Sequence, residues 1–554
     1  MASNGVDLRG AILPLIAGDV ADDPETLKKF SHDTSIFEKK PSLVVYPKNA
    51  DDVSALVRFA TDAKKRGEDV SLTARAAGTD MSGGPLTDSI VVSFTKYMNR
   101  MIEIGDDYAV AEPGLFYRDF EKQTLAKNGM ILPPYPASRE TCALGGMIAN
   151  NAGGELTLHY GKMDRYVRGL DVVLSDSSHA TFQSLTKDEL EAKKAAQTLE
   201  GEIYCEMESL LIKNKEAIAA AKPNVSKNSA GYALWDIIDE KRGTFDLSKL
   251  ITGSQGTLAL ITRARLALAK PKPHHAMLVV FLTDLTKLPD VVRRVRALEP
   301  ESFESYDDHT FKLAARYGYE FIKHMGLWQS ITLALSFLPE VWMTITGGIP
   351  KLVLLAEFAE DTDAEAQGKA HTARAALSDL SLSTQIALGA MEKKYWKIRR
   401  ESFALLRKHV HGLHAAPFID DIVVHPDDYP KFLPELGTIL AKYDIMHTIA
   451  GHIGDANFHI IPLVNLGRPE HRKAIMKLTP EVYALVAKYK GSITGEHGDG
   501  IIRTPFLATM YSPKMLELFA ETKRIFDPLN IFNPGKKVGG TIADIEKFMM
   551  KPSV

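Results

Sequence analysis

Three observations predict a mixed α/β chain, in which a ligand-cradling domain is followed by a separate α+β domain. The ordered sequence opens as strand, helix, strand and glycine loop. Three glycine loops all fall within the first half. A Lys- and Pro-rich break, KPKPHH at 270–275, then separates them from alternating strands and helices. At 554 residues the chain is too long for one ordinary core, so two or three domains are expected.

The first strand is SLVVYP (42–47). In DDVSALVRFATDAKKRG, Val53, Leu56, Val57, Ala60 and Ala63 recur at helical spacing until Gly67 ends the run. DVSLTAR is the next strand and runs into AAGTDMSGG; later glycine loops are LGGMIANNAGGELTLHYG (144–161) and TGSQGTLALIT (252–262). KPKPHH, with His274 and His275, reads as a linker. Beyond it, MLVVFL and LVLLAEF read as strands, and LPDVVRRVRAL and DAEAQGKAHTARAALSDL as helices. SPKMLELFAETKRIF is a helix with Ser512 as N-cap and Pro513 as its first residue, followed by the turn-rich DPLNIFNPGK.

GHIGDANFH (451–459) reads as a hairpin, because strand formers flank a Gly-Asp-Ala-Asn turn. Closed on Asp455-Ala456, it places His452 directly opposite His459, where cross-strand Cβ atoms are about 5 Å apart.

Composition is ordinary for a soluble globular protein, at 45% hydrophobic and 25% charged residues. A net charge of -3 gives no electrostatic argument for nucleic acid. Cys142 and Cys205 cannot build a disulfide framework, so a reducing, cytoplasmic compartment is the expectation. The N-terminus lacks the basic start and small-residue cleavage site of a secretory signal, and no transmembrane helix is visible. From Leu327 to 347 an apolar stripe bears two tryptophans. It reads as a helix packed on its own domain, with peripheral membrane contact as the sharper alternative; its polar face lacks the Lys and Arg of surface-lying helices.

Small residues in RAAGTDMSGG let backbone N–H groups approach phosphate oxygens. Neither GxGxxG opening a helix nor GxxxxGK[ST] is present, so Rossmann and P-loop sites are not supported. His452, His459 and, from ITGEHGDG, Glu496 form a two-His, one-carboxylate set of the kind that leaves metal coordination positions open. Zinc suits these donors, and manganese or ferrous iron accepts them too. His497 is then a neighbouring base. His409, His411 and His414 in KHVHGLH read as a solvated loop, and Cys142 as a packing residue without a paired base.

PSLVVYPKNADDVSALVRFA, ARAAGTDMSGG, GLFYRDFEKQTLAKNGMILPPYPASRETCALGGMIANNAGG, YGKMDRYVRGLDVVLSD and TGSQGTLALIT resemble the FAD-binding domain of the vanillyl-alcohol oxidase superfamily. GHIGDANFH, TGEHGDGIIRTPF and FDPLNIFNPGK resemble the C-terminal half of its D-2-hydroxyacid dehydrogenase branch. That branch holds respiratory D-lactate dehydrogenases, D-2-hydroxyglutarate dehydrogenase and the glycolate oxidase flavin subunit. The resemblance implies an α+β protein with a two-subdomain PCMH-type FAD-binding domain over 35–270. An α+β cap with the metal site and the apolar insertion follows over 271–500, and a C-terminal segment over 501–554 returns to the flavin.

By motif match, Arg75, Ala76, Ala77, Gly78, Thr79, Asp80 and Ser82 wrap the FAD pyrophosphate. Pro136, Ser138, Thr141, Gly145 and Gly146 line the dinucleotide, with Ile148, Asn150, Ala152, Gly153 and Gly154. Gln255, Gly256, Thr257, Ile261 and Asn533 complete the site. The branch's metal ligands fall on His452, His459 and Glu496, its base on His497, and its substrate-carboxylate arginine on Arg399, next to Arg400.

Three departures matter. The third loop reads GSQG rather than GSEG. No histidine stands where some members tether FAD, so non-covalent FAD is expected. The apolar run APFID around Ile419 replaces a lysine for a distal carboxylate, which favours a small monocarboxylate such as D-lactate. With no iron–sulfur cysteines or haem motif, an external quinone or cytochrome is the expected electron acceptor. The rival readings are a flavin-free metallohydrolase on the same ligands and a non-catalytic surface-binding protein.

Overall fold

The computed structural model describes residues 7–308, 349–409 and 412–551. The stripe at 327–347 and part of KHVHGLH lie outside them. The chain forms two compact units, one from residues up to Gly154, Gly161–Pro271 and Ser492 onward, the other from Glu155–Tyr160 and Lys272–Gly491. The second break differs from the boundary expected at 500, so Glu496 and His497 belong to the first unit. The reason is that the chain around them bonds to first-unit residues, for example Ser229 N–H to the Thr494 carbonyl at 2.9 Å.

In the first unit, strands Leu43–Tyr46, Ile90–Ser93 and Leu72–Arg75 are parallel, with Asp19–Ala21 antiparallel at the edge. Helix Ala50–Lys65 makes the crossover. Asn49 caps it by accepting the Asp52 N–H, and Val53, Leu56, Val57, Ala60 and Ala63 are fully buried as their spacing predicts. Each buried valine or leucine contributes about 1.5–3 kcal/mol. A seven-stranded antiparallel sheet runs from Met101–Ile104 to Ile238–Asp239, with Leu260–Ala267 between Tyr108–Ala111 and Val167–Val173. Helix Pro513–Phe526 begins on the Ser512 cap. The chain then lies along the parallel sheet, where Leu72 N–H donates to the Ile531 carbonyl at 2.7 Å.

The second unit is one antiparallel sheet. Its order is Ser383–Ala387, His274–Leu282, Leu352–Glu360, Ser302–Asp307, His447–His452, Asn457–Val464 and His414–Ala415; Ile422–Val423 also pairs with Asn457–Val464. From Ala276 onward, every residue of His274–Leu282 is buried, so both faces of the strand are covered. On one face Met277, Val279 and Phe281 pack with Tyr395 and Trp396 of helix Ala390–His409. His274 and His275 are therefore not linker residues; they open this strand opposite Glu360 and Ala359. His414 is exposed on its short strand. Among the described residues no helix is long and apolar enough to cross a membrane.

The hairpin forms in a different register from the expected one. His452 pairs with Asn457 and His459 with Ala450, so the histidines are diagonal neighbours on one face. The turn accounts for this. Ile453–Asp455 is a single 3-10 turn closed by Ala456 at φ +55°, which leaves four residues outside the ladder rather than two.

Candidate functional site

The first unit brings its three glycine loops together through side chains. Asp80 accepts from Ser82 N–H and hydroxyl at 2.9 and 2.7 Å and from Gly84 N–H at 2.8 Å, and its other oxygen accepts from Asn150 at 2.8 Å. Gln255, at φ +53°, donates to Asn150 and Ser82 at 3.2 and 3.3 Å. Its oxygen accepts the Asp499 and Gly500 N–H groups at 3.1 and 2.9 Å. A glutamate here would accept from both N–H groups but donate to neither oxygen, so the GSQG departure suits this network. Asn533 adds the C-terminal segment, donating to the Gly84 and Gln255 carbonyls at 3.0 and 2.8 Å.

Other expected cradle residues act through shape. Arg75 donates to the carbonyls of Phe30 and His32 at 3.1 and 2.6 Å, so its guanidinium holds the N-terminal segment. The Gly145 N–H is used on the Pro113 carbonyl at 2.8 Å, and Ser138 anchors the turn to Thr141 through its carbonyl. Ser82, Ile148 and Thr257 are fully buried. Thr257 bonds the Tyr232 hydroxyl at 2.7 Å, and Ile261 lies in strand Leu260–Ala267. Residues 76–80 are half-buried. At Gly154 a Cβ would sit 2.0 Å from the Tyr135 carbonyl beside Pro136, so the Ala152–Gly154 stretch needs a glycine to pass.

The GEHGDG loop also requires its glycines. Gly500 is at φ +51°, and a Cβ there would lie 2.3 Å from the Ser82 carbonyl. Glu496 is buried and paired at 3.1 Å with Lys227, whose side chain is fully buried. His497 is partly exposed, with Nε2 3.9 Å from the second Glu496 oxygen. Lys227 had no signal in the sequence, since it is one lysine among small polar residues in VSKNSAGY.

In the second unit the two imidazoles lie edge to face, with centroids 5.1 Å apart. His452 Nδ1 is 2.6 Å from Glu304, and His459 Nδ1 is 3.0 Å from Asp420. An N–H on each Nδ1, donated to its carboxylate, makes Nε2 the basic nitrogen of each ring. This carboxylate–imidazole pairing is what orients histidines for metal ligation. Asn457 donates to Asp421 at 3.0 Å, which fixes the segment carrying Asp420. Arg399 lies 3.0 Å from the other Glu304 oxygen. Arg400 bonds Glu155 at 2.6 Å and is half exposed, so the structure ties Arg399 rather than Arg400 to the histidine pair.

A model of the C-terminal domain of FAD linked oxidases matches residues 271–537, and an FAD binding domain model matches 41–182. These stretches are similar to the two domains of FAD-linked oxidases. The chain is 29% identical over 539 residues to D-2-hydroxyglutarate dehydrogenase of Escherichia coli, covering 94% of this chain and 50% of that protein. The chain thus spans about half the length of that relative. D-lactate dehydrogenase of Archaeoglobus fulgidus is 26% identical over 499 residues, with 90% of this chain and 91% of that one covered. The fold is that of 4-ethylphenol oxidase from Gulosibacter chungangensis, at a TM-score of 0.69 and 18% identity, covering 98% of this chain and 100% of that one.

The first unit, which carries the stretch matched by the FAD binding domain, fits a dinucleotide. A Cβ at Gly146 would meet only the Ala76 methyl at 3.6 Å, and one at Gly256 only the Ala74 methyl at 3.5 Å. Space therefore opens beside two of the loops while half-buried backbone lines the third.

Cys142, next to the second loop, is a packing residue. Burial pushes its thiol up to about 12, which removes the reactive thiolate at neutral pH. A disulfide-exchange reagent therefore titrates Cys205 alone in the native protein and both thiols after unfolding. Two fast thiols in the native state would contradict this packing.

Proposed function

We propose that this chain is an FAD-linked oxidase that converts a small D-2-hydroxy acid, D-lactate first, to its 2-oxo acid. The observation that carries the reading is the pair of histidines, each held at Nδ1 by a buried carboxylate. When bound, FAD supplies the two-electron acceptor. A divalent ion on His452, His459 and Glu496, zinc by donor type with manganese or iron as alternatives, supplies a Lewis acid that lowers the pKa of an alcohol.

The chain's own groups do the rest. Arg399 receives the substrate carboxylate, and Glu304 holds its guanidinium for that contact. His497 accepts the hydroxyl proton. Lys227 compensates the charge of Glu496 inside the first unit. Electrons leave to an external quinone or cytochrome, with the enzyme placed in the cytoplasm.

The buried APFID run, with Phe418 and Ile419 1% and 0% exposed, supports a monocarboxylate. A second reading, D-2-hydroxyglutarate, is favoured by the name of the Escherichia coli relative. Anaerobic flavin bleaching decides between them. D-lactate is expected to bleach the flavin, L-lactate to leave it oxidised, and a chelator to stop bleaching. A kcat/KM at least about tenfold higher for D-2-hydroxyglutarate transfers the assignment to the diacid. Bleaching that survives chelation with every hydroxy acid removes the metal from the proposal.

The carboxylates behind the histidines have their own test. Asp420→Ala is expected to weaken metal binding about 10–100-fold, with FAD content unchanged. Unaltered affinity in a metal titration would show that the His459–Asp420 pair serves only the fold.

A further inference from the structure

The second unit contains another set of ligating side chains, none of them used by the proposed chemistry. His275 opens strand His274–Leu282, Glu301 precedes strand Ser302–Asp307, and Glu357 lies in strand Leu352–Glu360. The sheet brings them together, because the Glu301 N–H bonds the Glu357 carbonyl at 2.8 Å and Met277, two residues from His275, pairs with Glu357. One ligand atom from each lies within 4.8 Å of the others. His275 Nδ1 is 3.7 Å from a Glu301 oxygen and 3.8 Å from a Glu357 oxygen. Both spacings are too long for hydrogen bonds, and the buried Nδ1 has no hydrogen-bond partner. A tetrahedral shell with bonds of about 2.1 Å sets its ligand atoms roughly 3.4 Å apart, close to what is seen.

Charge points the same way. Both carboxylates are more than nine-tenths buried, and among the described residues neither is paired with a lysine or arginine. Tyr160 donates to Glu301 at 3.0 Å and Trp396 to Glu357 at 2.8 Å, while Glu392 brings a third carboxyl against Glu357. Such a group stays in a protein interior only when protons or a cation neutralise it. We propose that His275, Glu301 and Glu357 bind a second divalent cation of the zinc class. Trp396 lies one turn before Arg399 on the same helix, so an ion here would also fix the helix that carries Arg399.

The residues do not overlap with His452, His459 and Glu496, so the two sites are tested separately. The zinc-loaded, desalted FAD protein is assayed for metal per chain by mass spectrometry. Glu301→Gln and His275→Leu are each expected to lose one equivalent that Glu496→Gln retains. If both variants keep the parent's zinc, the second site is refuted, whatever Glu496→Gln does. A protein that loses its only zinc in Glu496→Gln gives the same refutation and upholds the first site. Should the two variants misfold by circular dichroism, cobalt is added to Glu496→Gln, in which this cluster is intact. Visible ligand-field bands are then expected, and their absence overturns the proposal.

Discussion

Replacing Lys227 by methionine is expected to lower the unfolding free energy of the metal-free protein by about 3–5 kcal/mol. The reason is asymmetric. Lys227 is fully buried against Glu496 at 3.1 Å, so its removal leaves a carboxylate in the interior without its cation. The double variant Lys227→Met with Glu496→Gln removes both charges and is expected to recover most of the loss, because a buried pair is close to neutral against uncharged replacements. Denaturant titration of the parent, the two single variants and the double variant gives the coupling. A loss below about 1 kcal/mol for Lys227→Met would place the pair in contact with solvent.

Exchanging His497 for alanine is expected to cut kcat about 10²–10⁴-fold, the usual contribution of a positioned base. FAD content should not change, since the side chain is partly exposed and the cradle is held by Asp80, Asn150, Gln255 and Asn533. Turnover with an artificial dye, with and without added imidazole, is the measurement. Partial rescue by imidazole is expected. A fall of less than about tenfold would mean that another group takes the proton.

How much of this was readable depends on how local each cause is. The helix Ala50–Lys65 and the Ser512 cap follow from spacing and from one capping side chain, and both were legible. The glycine loops were legible as small residues, but not their linkage, because Asn533 reaches Gly84 across 449 positions. The histidines were found and their register was not. That register depends on whether the 453–456 turn leaves two or four residues outside the ladder, and a Gly-Asp-Ala-Asn tetrad permits both. The partners of the histidines were out of reach of spacing. Glu304 lies 148 positions from His452, and Asp420, 39 positions from His459, was masked by the apolar run before it. His275 was misplaced because KPKP reads as a break, yet the strand begins at His274.

The two units also differ in when they can be completed during synthesis. Lys272–Gly491 is an unbroken insert apart from the short Glu155–Tyr160 segment, so nearly all of the second unit emerges from the ribosome as one block. The first unit must wait. Its edge strand, Leu72–Arg75, is paired with Ile90–Ser93 but gains a second neighbour only when Ile531 arrives, and Asn533 is the residue that fastens two of the loops. Stable capture of the dinucleotide is therefore a late event in biogenesis, and nascent chains arrested before about residue 530 should carry a folded insert but no flavin.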